Sequence, residues 1–273
     1  MKLDYTFHSH TFRCAHAIGD IEDYVLLAIK NNFKIYGVSD HVFLPGITQK
    51  WTRGNYECLD DYIEKFNISK AKHHNEIEMH LGFECEYSDV FVDCYKYILK
   101  EKGIEYLICG QHCGFNLDKS AYGYFGTLEE FFRYKDDIVK AMQSGLFLYI
   151  AHPDLYFITA TEVTDLYKKL TKEIIDAAIK YDAVLEVNRH GLLRDHHRNN
   201  NVYIDYPCEY FWKEVAKTNI KVVVGGDYHD PNEIEDKVLE EQLNAFIEKC
   251  HIKISDIKDI YLDYQNKIKR VIK

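Results

Sequence analysis

The sequence predicts an α/β barrel of seven parallel strands. Seven short apolar runs of strand length recur along the 273 residues, several rich in Val, Ile or aromatic side chains. Longer segments with apolar residues at helical spacing alternate with them. Strand alternating with helix implies parallel strands, because each crossover needs a helix to bridge it. Seven such units fit a closed or nearly closed barrel better than an open sheet. Barrels of this length are commonly one domain, so residues 1–273 are expected to form a single one.

In chain order the strands are expected at Leu3–His8, Ile35–Ser39, Met79–Glu84, Ile104–Gly110, Leu146–His152, Ala183–Asn188 and Ile220–Gly226. The first helix is expected over Asp20–Asn31, where Ile21, Tyr24, Val25 and Ala28 share one stripe. Leu59–Asn75, Thr127–Ser144, Thr164–Tyr181 and Glu209–Thr218 have the same character, and Asn232–Lys249 and Ser255–Arg270 close the chain. An aromatic cluster follows the fourth strand: Tyr122, Tyr124, Phe125, Phe131, Phe132 and Tyr134. Packing of helix and loop explains it more simply than a pocket wall or lid.

A hydrophobic share of 47% is ample for a core, and 29% charged residues is ordinary for a soluble globular chain. The net charge of −10 repels nucleic-acid phosphates and anionic membranes, so no nucleic-acid polymer and no membrane is expected as a partner. An anionic substrate would need positive charge supplied locally, by metal ions or a few arginines. None of the eight cysteines forms a C-x-x-C pair, which argues against a zinc ribbon or a thioredoxin-type site. Met1–Phe12 lacks the apolar stretch of a signal peptide, and no apolar run reaches bilayer length. A cytoplasmic protein with reduced thiols is therefore expected.

Imidazoles and carboxylates fall at the same place in unit after unit. Strand one ends in His8 and His10, with His16 just beyond, and strand two in Asp40-His41. Strand three ends in Glu84, and strand four runs into Gln111-His112. His152 and Asp154 follow strand five, Glu186 and Asn188 end strand six, and Asp227 and His229 follow strand seven. The C-terminal rim is where barrels of this kind assemble their sites. One such His is usually a solvated loop residue or a satisfied polar group, and His73, His74, His80, His196, His197 and His251 read that way here. Coincidence at one rim changes that reading, because an uncompensated cluster would be costly and divalent metal would compensate it. Side chains at i and i+2 of an extended segment share a face, so His8 with His10, and Asp227 with His229, can chelate together. The donors exceed the needs of one ion and suggest two or three, of zinc, manganese or iron.

Taken in order, His8-Ser9-His10-Thr11, Cys14-Ala15-His16-Ala17, Ser39-Asp40-His41, Gly82-Phe83-Glu84, Gly110-Gln111-His112, Ala151-His152-Pro153 and Gly226-Asp227-Tyr228-His229 resemble the motifs of the polymerase-and-histidinol-phosphatase (PHP) superfamily. The likeness spans residue 5 to about 232. Leu185-Glu186-Val187-Asn188, Gly191-Leu192 and Tyr206-Pro207 are similar to its histidinol-phosphatase branch. The resemblance implies a distorted (β/α)7, TIM-like barrel with a trinuclear metal centre. Carried over by motif, His8, His10, Glu84 and Asp227 would hold one ion. Glu84, His112 and His152 would hold a second, and His16, His41 and His229 the third.

It further implies hydrolysis of a small phosphorylated metabolite by metal-activated water, with histidinol phosphate giving histidinol and phosphate. Glu84, Asp227, His229 and Asp40 are the expected catalytic residues. Asp40 and Asp154 would either orient the ligating imidazoles or protonate the leaving group. Two departures concern the substrate. Asp154–Thr159 carries no basic residue where the branch usually has one, and the arginine that follows Gly-Leu stands at Arg194, displaced by Leu193. Arg194, Arg189, Arg53 and Asn188 are the expected substrate-binding residues. A phosphodiesterase with the same centre and a non-catalytic metal-binding protein are the competing readings.

Overall fold

The computed structural model describes residues 2–47, 49, 52–112, 127–198 and 200–273. Its centre is a seven-stranded parallel sheet whose strands follow chain order: β1 (Tyr5–Thr6), β2 (Ile35–Val38), β3 (Glu78–Cys85), β4 (Tyr106–Gly110), β5 (Ile150–Ala151), β6 (Leu185–Asn188) and β7 (Val222–Gly225). The ring nearly closes between its first and last strands. Past β1 and β7, Ser9 and Tyr228 form a parallel bridge. Asp227 N–H donates to the His8 carbonyl and His10 N–H to the Tyr228 carbonyl, each at 2.8 Å. Lower in the barrel, Val224 N–H donates to the Tyr5 hydroxyl at 3.2 Å. This is the expected barrel.

The helices are α1 (Ile21–Lys30), α2 (Cys58–His73), α3 (Val92–Glu101), α4 (Leu128–Ser144), α5 (Asp165–Tyr181), α6 (Glu209–Val215), α7 (Lys237–Cys250) and α8 (Ile257–Val271). Asp20 with Asp23 forms a capping box at the start of α1, and Thr127 with Glu130 forms one at α4. Four elements differ from expectation. β1 and β5 are two residues each, although flanking Leu3, Leu148 and Tyr149 are as buried as strand residues. Apolar runs report burial, and the ladder is shorter than the buried run. Helix α3 was not singled out by its spacing. Its Val, Tyr and Ile content also suits strands, yet it buries Tyr95, Ile98 and Leu99. The expected helix over Asn232–Lys249 is divided into a 3₁₀ turn, Pro231–Glu235, and α7, because the Asp236 carboxylate caps a new start by accepting from Leu239 N–H.

The barrel interior is filled by side chains, Tyr106 among them. Its hydroxyl lies 3.0 Å from both the Phe7 and Val38 carbonyls, spanning from β4 to the first two strands. Gly37 and Gly82 make room for it, since a Cβ at either position would overlap Tyr106. α8 docks through Tyr264, whose hydroxyl accepts from Leu107 N–H at 3.3 Å and donates to the Leu146 carbonyl at 3.0 Å.

Phe131 and Tyr134 of α4 are buried and pack on Tyr156, while Phe132 is partly buried against the core. Tyr122, Tyr124 and Phe125 lie outside the described residues. Among the described residues all seven cysteines are free, and no helix is long and apolar enough to cross a membrane.

Gly82→Ala is expected to destabilise the fold by about 1–3 kcal/mol, the usual cost of overpacking a filled core. Urea unfolding checks this. A midpoint equal to wild type would mean that Tyr106 does not fill the barrel as described.

Candidate metal centre

The strand ends converge on Glu84, near the end of β3. Its carboxylate is 1% exposed. Gly110 on the adjacent β4 is required here, because a Cβ at that position would overlap the carboxylate. Around Oε1 stand the Nε2 atoms of His152 at 2.9 Å, His8 at 3.4 Å and His112 at 3.4 Å. Around Oε2 stand His41 Nδ1 at 3.1 Å and His10 Nε2 at 3.4 Å. Asp227 Oδ1 lies 3.3 Å from His8 Nε2 and 3.1 Å from His10 Nε2. The i, i+2 spacing thus does what it implied for His8 and His10. All nine expected ligands are brought together, with His16 and His229 meeting at the cavity side, Nε2 to Nε2, at 3.0 Å.

The protonation pattern tests whether a cation fits. A backbone carbonyl can only accept, so His16 Nδ1, 2.8 Å from the Cys14 carbonyl, and His229 Nδ1, 2.9 Å from the Asp227 carbonyl, each carry a proton there. In the neutral rings both Nε2 atoms then present lone pairs to one another. His8 Nδ1 is 2.8 Å from Glu186, and His112 Nδ1 is 2.9 Å from Glu86, which likewise turns their Nε2 lone pairs inward. His8 Nε2, both nitrogens of His10, His41 Nδ1 and His152 Nδ1 are buried with no hydrogen-bond partner. Converging imidazole lone pairs and carboxylates are the donor set that zinc, manganese or iron takes. Several three-residue groups meet the need, including His8–His10–Asp227, His8–Glu84–His152 and His10–His41–Glu84.

The electrostatics agree. Burial opposes ionisation of Glu84, but His112, His41 and His8 hold its carboxyl well below the ordinary range. Asp227 is held low in the same way, by His8, His10 and His229 against burial. Burial also opposes a charged His8, yet Asp227, Glu186 and Glu84 push its pKa well up. Burial, then His10, pushes His16 and His229 down. His41 is also pushed down by burial, the pull of Glu84 being opposed by His10 and His112. Ionised carboxylates therefore sit among rings of opposed tendency, and a shared cation would settle them.

Two residues behind the ligands went unassigned in the sequence. Glu86 joins His112 to Arg53, whose Nη2 lies 2.6 Å from Glu86. Its signal was the Glu84-Cys85-Glu86 alternation, which in extended chain puts both carboxylates on one side, Glu86 lying just past the end of β3. Glu186, recognised only as a strand-end residue, holds His8 and accepts from Asn188 at 2.9 Å. His190, beside the ligands, was missed altogether. His73 and His80 are paired with carboxylates away from the site, as their sequence context suggested.

A cavity of about 370 Å³ opens onto the cluster. His10, His16, His41, His112 and His229 line it, as do Thr52, His190, Arg194 and Tyr206. Of the expected substrate-binding residues, only Arg194 reaches it. Arg194 Nε donates to the buried Asp205 at 3.0 Å, and its guanidinium lies 5.8 Å from the centre of the Tyr206 ring.

The others are corrected by their hydrogen bonds. Arg53 is buried on Glu86, Gln49 and the Val42 carbonyl. Arg189 donates to the Glu233 and Asp236 carbonyls and stacks on Tyr228. The Asn188 amide is taken up by Glu186, Asp227 and Gly191 N–H. Asp40 lies behind His10, with its oxygens accepting from the Thr11 N–H and hydroxyl, so it does not face the cavity. Burial raises its pKa to about 6. Asp154 is likewise buried, on Cys208 N–H and the Trp212 indole, and burial raises it to about 7.

Comparison with known proteins agrees with this geometry. A family model described as "PHP domain" matches residues 6–190. A probable histidinol-phosphatase of Schizosaccharomyces pombe is 21% identical over 90% of this chain and 86% of its own. A histidinol phosphate phosphatase from Lactococcus lactis, solved with zinc, L-histidinol and phosphate, superposes with a TM-score of 0.67 at 19% identity, covering 93% of this chain and 95% of that one. The putative histidinol phosphatase of Listeria monocytogenes gives 0.63 at 19% identity, over 85% of this chain and 98% of its own.

Glu86→Gln removes the charge that orients His112 while keeping the side chain's size. Metal affinity is expected to fall about 10–100-fold, as read by chelator competition; unchanged affinity would mean His112 needs no such support. Burial raises the Glu86 pKa, but Arg53 and His112 bring it to about 2, below the ordinary 4.5. Its charge therefore stabilises the fold above pH 4.5, and that stabilisation is lost as pH falls toward 2. The unfolding gap between wild type and Glu86→Gln is expected to narrow from about pH 6 to about pH 3.

Proposed function

The chain belongs to the PHP domain family, and on that premise we propose that it is a metal-dependent phosphatase hydrolysing histidinol phosphate to histidinol and phosphate. The observation that carries the reading is the buried Glu84 carboxylate, with both oxygens facing imidazole nitrogens at the floor of a cavity. The Lactococcus protein, bound to zinc, L-histidinol and phosphate, supports the choice of substrate.

His8, His10, Glu84 and Asp227 would hold one cation. Glu84, His112 and His152 would hold a second, and His16, His41 and His229 a third. Such cations, when bound, polarise a phosphoryl oxygen and lower the pKa of water. The remaining work falls to the chain. Glu186 and Glu86 fix the tautomers of His8 and His112 and aim their Nε2 atoms inward. Asp40 ties down Thr11, between the ligands His10 and His16. Arg194, held through Nε by Asp205, keeps its two Nη groups for phosphate oxygens. On a chain of net charge −10, such local donors are what lets an anionic ester enter.

Chelation and transfer to metal-free buffer are expected to abolish phosphate release from histidinol phosphate, with zinc or manganese restoring it. Full turnover by metal-free protein would overturn the proposal. In a substrate panel, kcat/KM is expected to be highest for histidinol phosphate, lower for p-nitrophenyl phosphate and lowest for its bis-ester. Preference for the bis-ester would make the protein a diesterase.

A further inference from the structure

One imidazole in the cavity belongs to none of the proposed ligand sets. His190 lines the cavity with Arg194 and His229, and its ring centroid is 4.8 Å from that of His229. Its Nδ1 is buried with no hydrogen-bond partner. Glu233 Oε2 faces it at 3.6 Å, longer than a hydrogen bond but within ion-pair distance, and accepts from the His229 backbone N–H at 3.2 Å. The Nδ1 edge of the ring is thus turned to Glu233, while the side chain stays 30% exposed along the cavity wall, where a ligand can reach it.

The local backbone makes this placement specific. His190–Leu193 forms a 3₁₀ turn, and the Asn188 side chain accepts from Gly191 N–H at 3.0 Å. A Cβ at Gly191 would overlap Tyr206, so the turn seats against the cavity wall only with glycine there. Arg189, just before the turn, is spent on the Glu233 and Asp236 carbonyls. His190 and Arg194 border the cavity instead. Among the described lining residues outside the ligand sets, these two carry the side-chain N–H donors.

We propose that His190 is a second phosphoryl-binding residue, donating a hydrogen bond to a phosphate oxygen of the ester that Arg194 also holds. The inference rests on the phosphatase reading, and its ligand class is a phosphomonoester or inorganic phosphate. The imidazole acts here as a donor in binding, and no proton leaves it.

Calorimetry of inorganic phosphate binding to the metal-loaded protein tests this, with wild type, His190→Ala and His190→Gln in parallel. Metal content and steady-state kinetics are measured on the same preparations. His190→Ala is expected to weaken phosphate binding and raise KM about tenfold, the effect of one lost hydrogen bond, with kcat within about threefold and metal content unchanged. His190→Gln, which keeps an N–H donor, is expected to recover most of the affinity. Unchanged phosphate affinity in His190→Ala would overturn the inference, and so would loss of metal or a fall in kcat alone. The two failures separate: a wild type that binds phosphate through His190 but hydrolyses no monoester upholds this inference and overturns the phosphatase reading. A wild type that hydrolyses the ester, with His190→Ala indistinguishable from it, does the reverse.

Discussion

An ionised carboxylate buried at the rim of a barrel cannot stand alone, and the rest of the site follows from that constraint. Glu84 is almost wholly buried, and its neighbours are imidazoles that are themselves buried and turned toward it. Five of their nitrogens have no hydrogen-bond partner. Three of them, His8 Nε2, His10 Nε2 and His41 Nδ1, face carboxylate oxygens at 3.1–3.4 Å. Cations shared between such carboxylates and imidazoles would compensate the cluster and would couple folding to metal binding. Parallel strands are what make the arrangement accessible. They bring seven chain ends to one rim, and two glycines let carboxylates approach there: Gly110 beside Glu84 and Gly225 beside Glu186.

Much of this was legible in the sequence because the barrel repeats one event. Each strand is a local apolar run, and its C-terminal residue inherits a fixed position on the rim. The candidate ligands could therefore be placed at one rim by their order along the chain, and their ordered motifs resembled a known family, which supplied the proposed grouping. What stayed hidden depended on contacts between distant segments. The pairing of Arg53 with Glu86 crosses 33 residues, and that of His8 with Glu186 crosses 178. Neither has a local signature. Arg53, Arg189 and Asn188 were expected to meet substrate because their chemistry suits phosphate. The fold instead spends each on an internal partner, which sequence chemistry alone cannot reveal. Helix α3 was hidden for a different reason: its Val, Tyr and Ile residues suit either kind of element, and packing of Tyr95, Ile98 and Leu99 decided between them.

The proposed substrate end of the cavity is built differently from the proposed metal end. The proposed ligands sit at and beyond strand ends within a dense network, whereas Arg194 sits just after, and His190 on, one 3₁₀ turn between β6 and α6. Asp205 anchors the first, and the ring of His229 packs against the second. A turn of this kind can shift an arginine by one position, as Leu193 does here, and Asp205 then fixes where its guanidinium lies.

The coupling of Glu84 to more than one cation is the most exposed part of this picture. Elemental analysis of purified wild type and Glu84→Ala, each loaded with zinc or manganese and desalted, measures it directly. Wild type should retain two or three equivalents, and removal of the shared carboxylate should release at least two together. Retention of the full complement by Glu84→Ala, or a wild type that binds no metal, would contradict it.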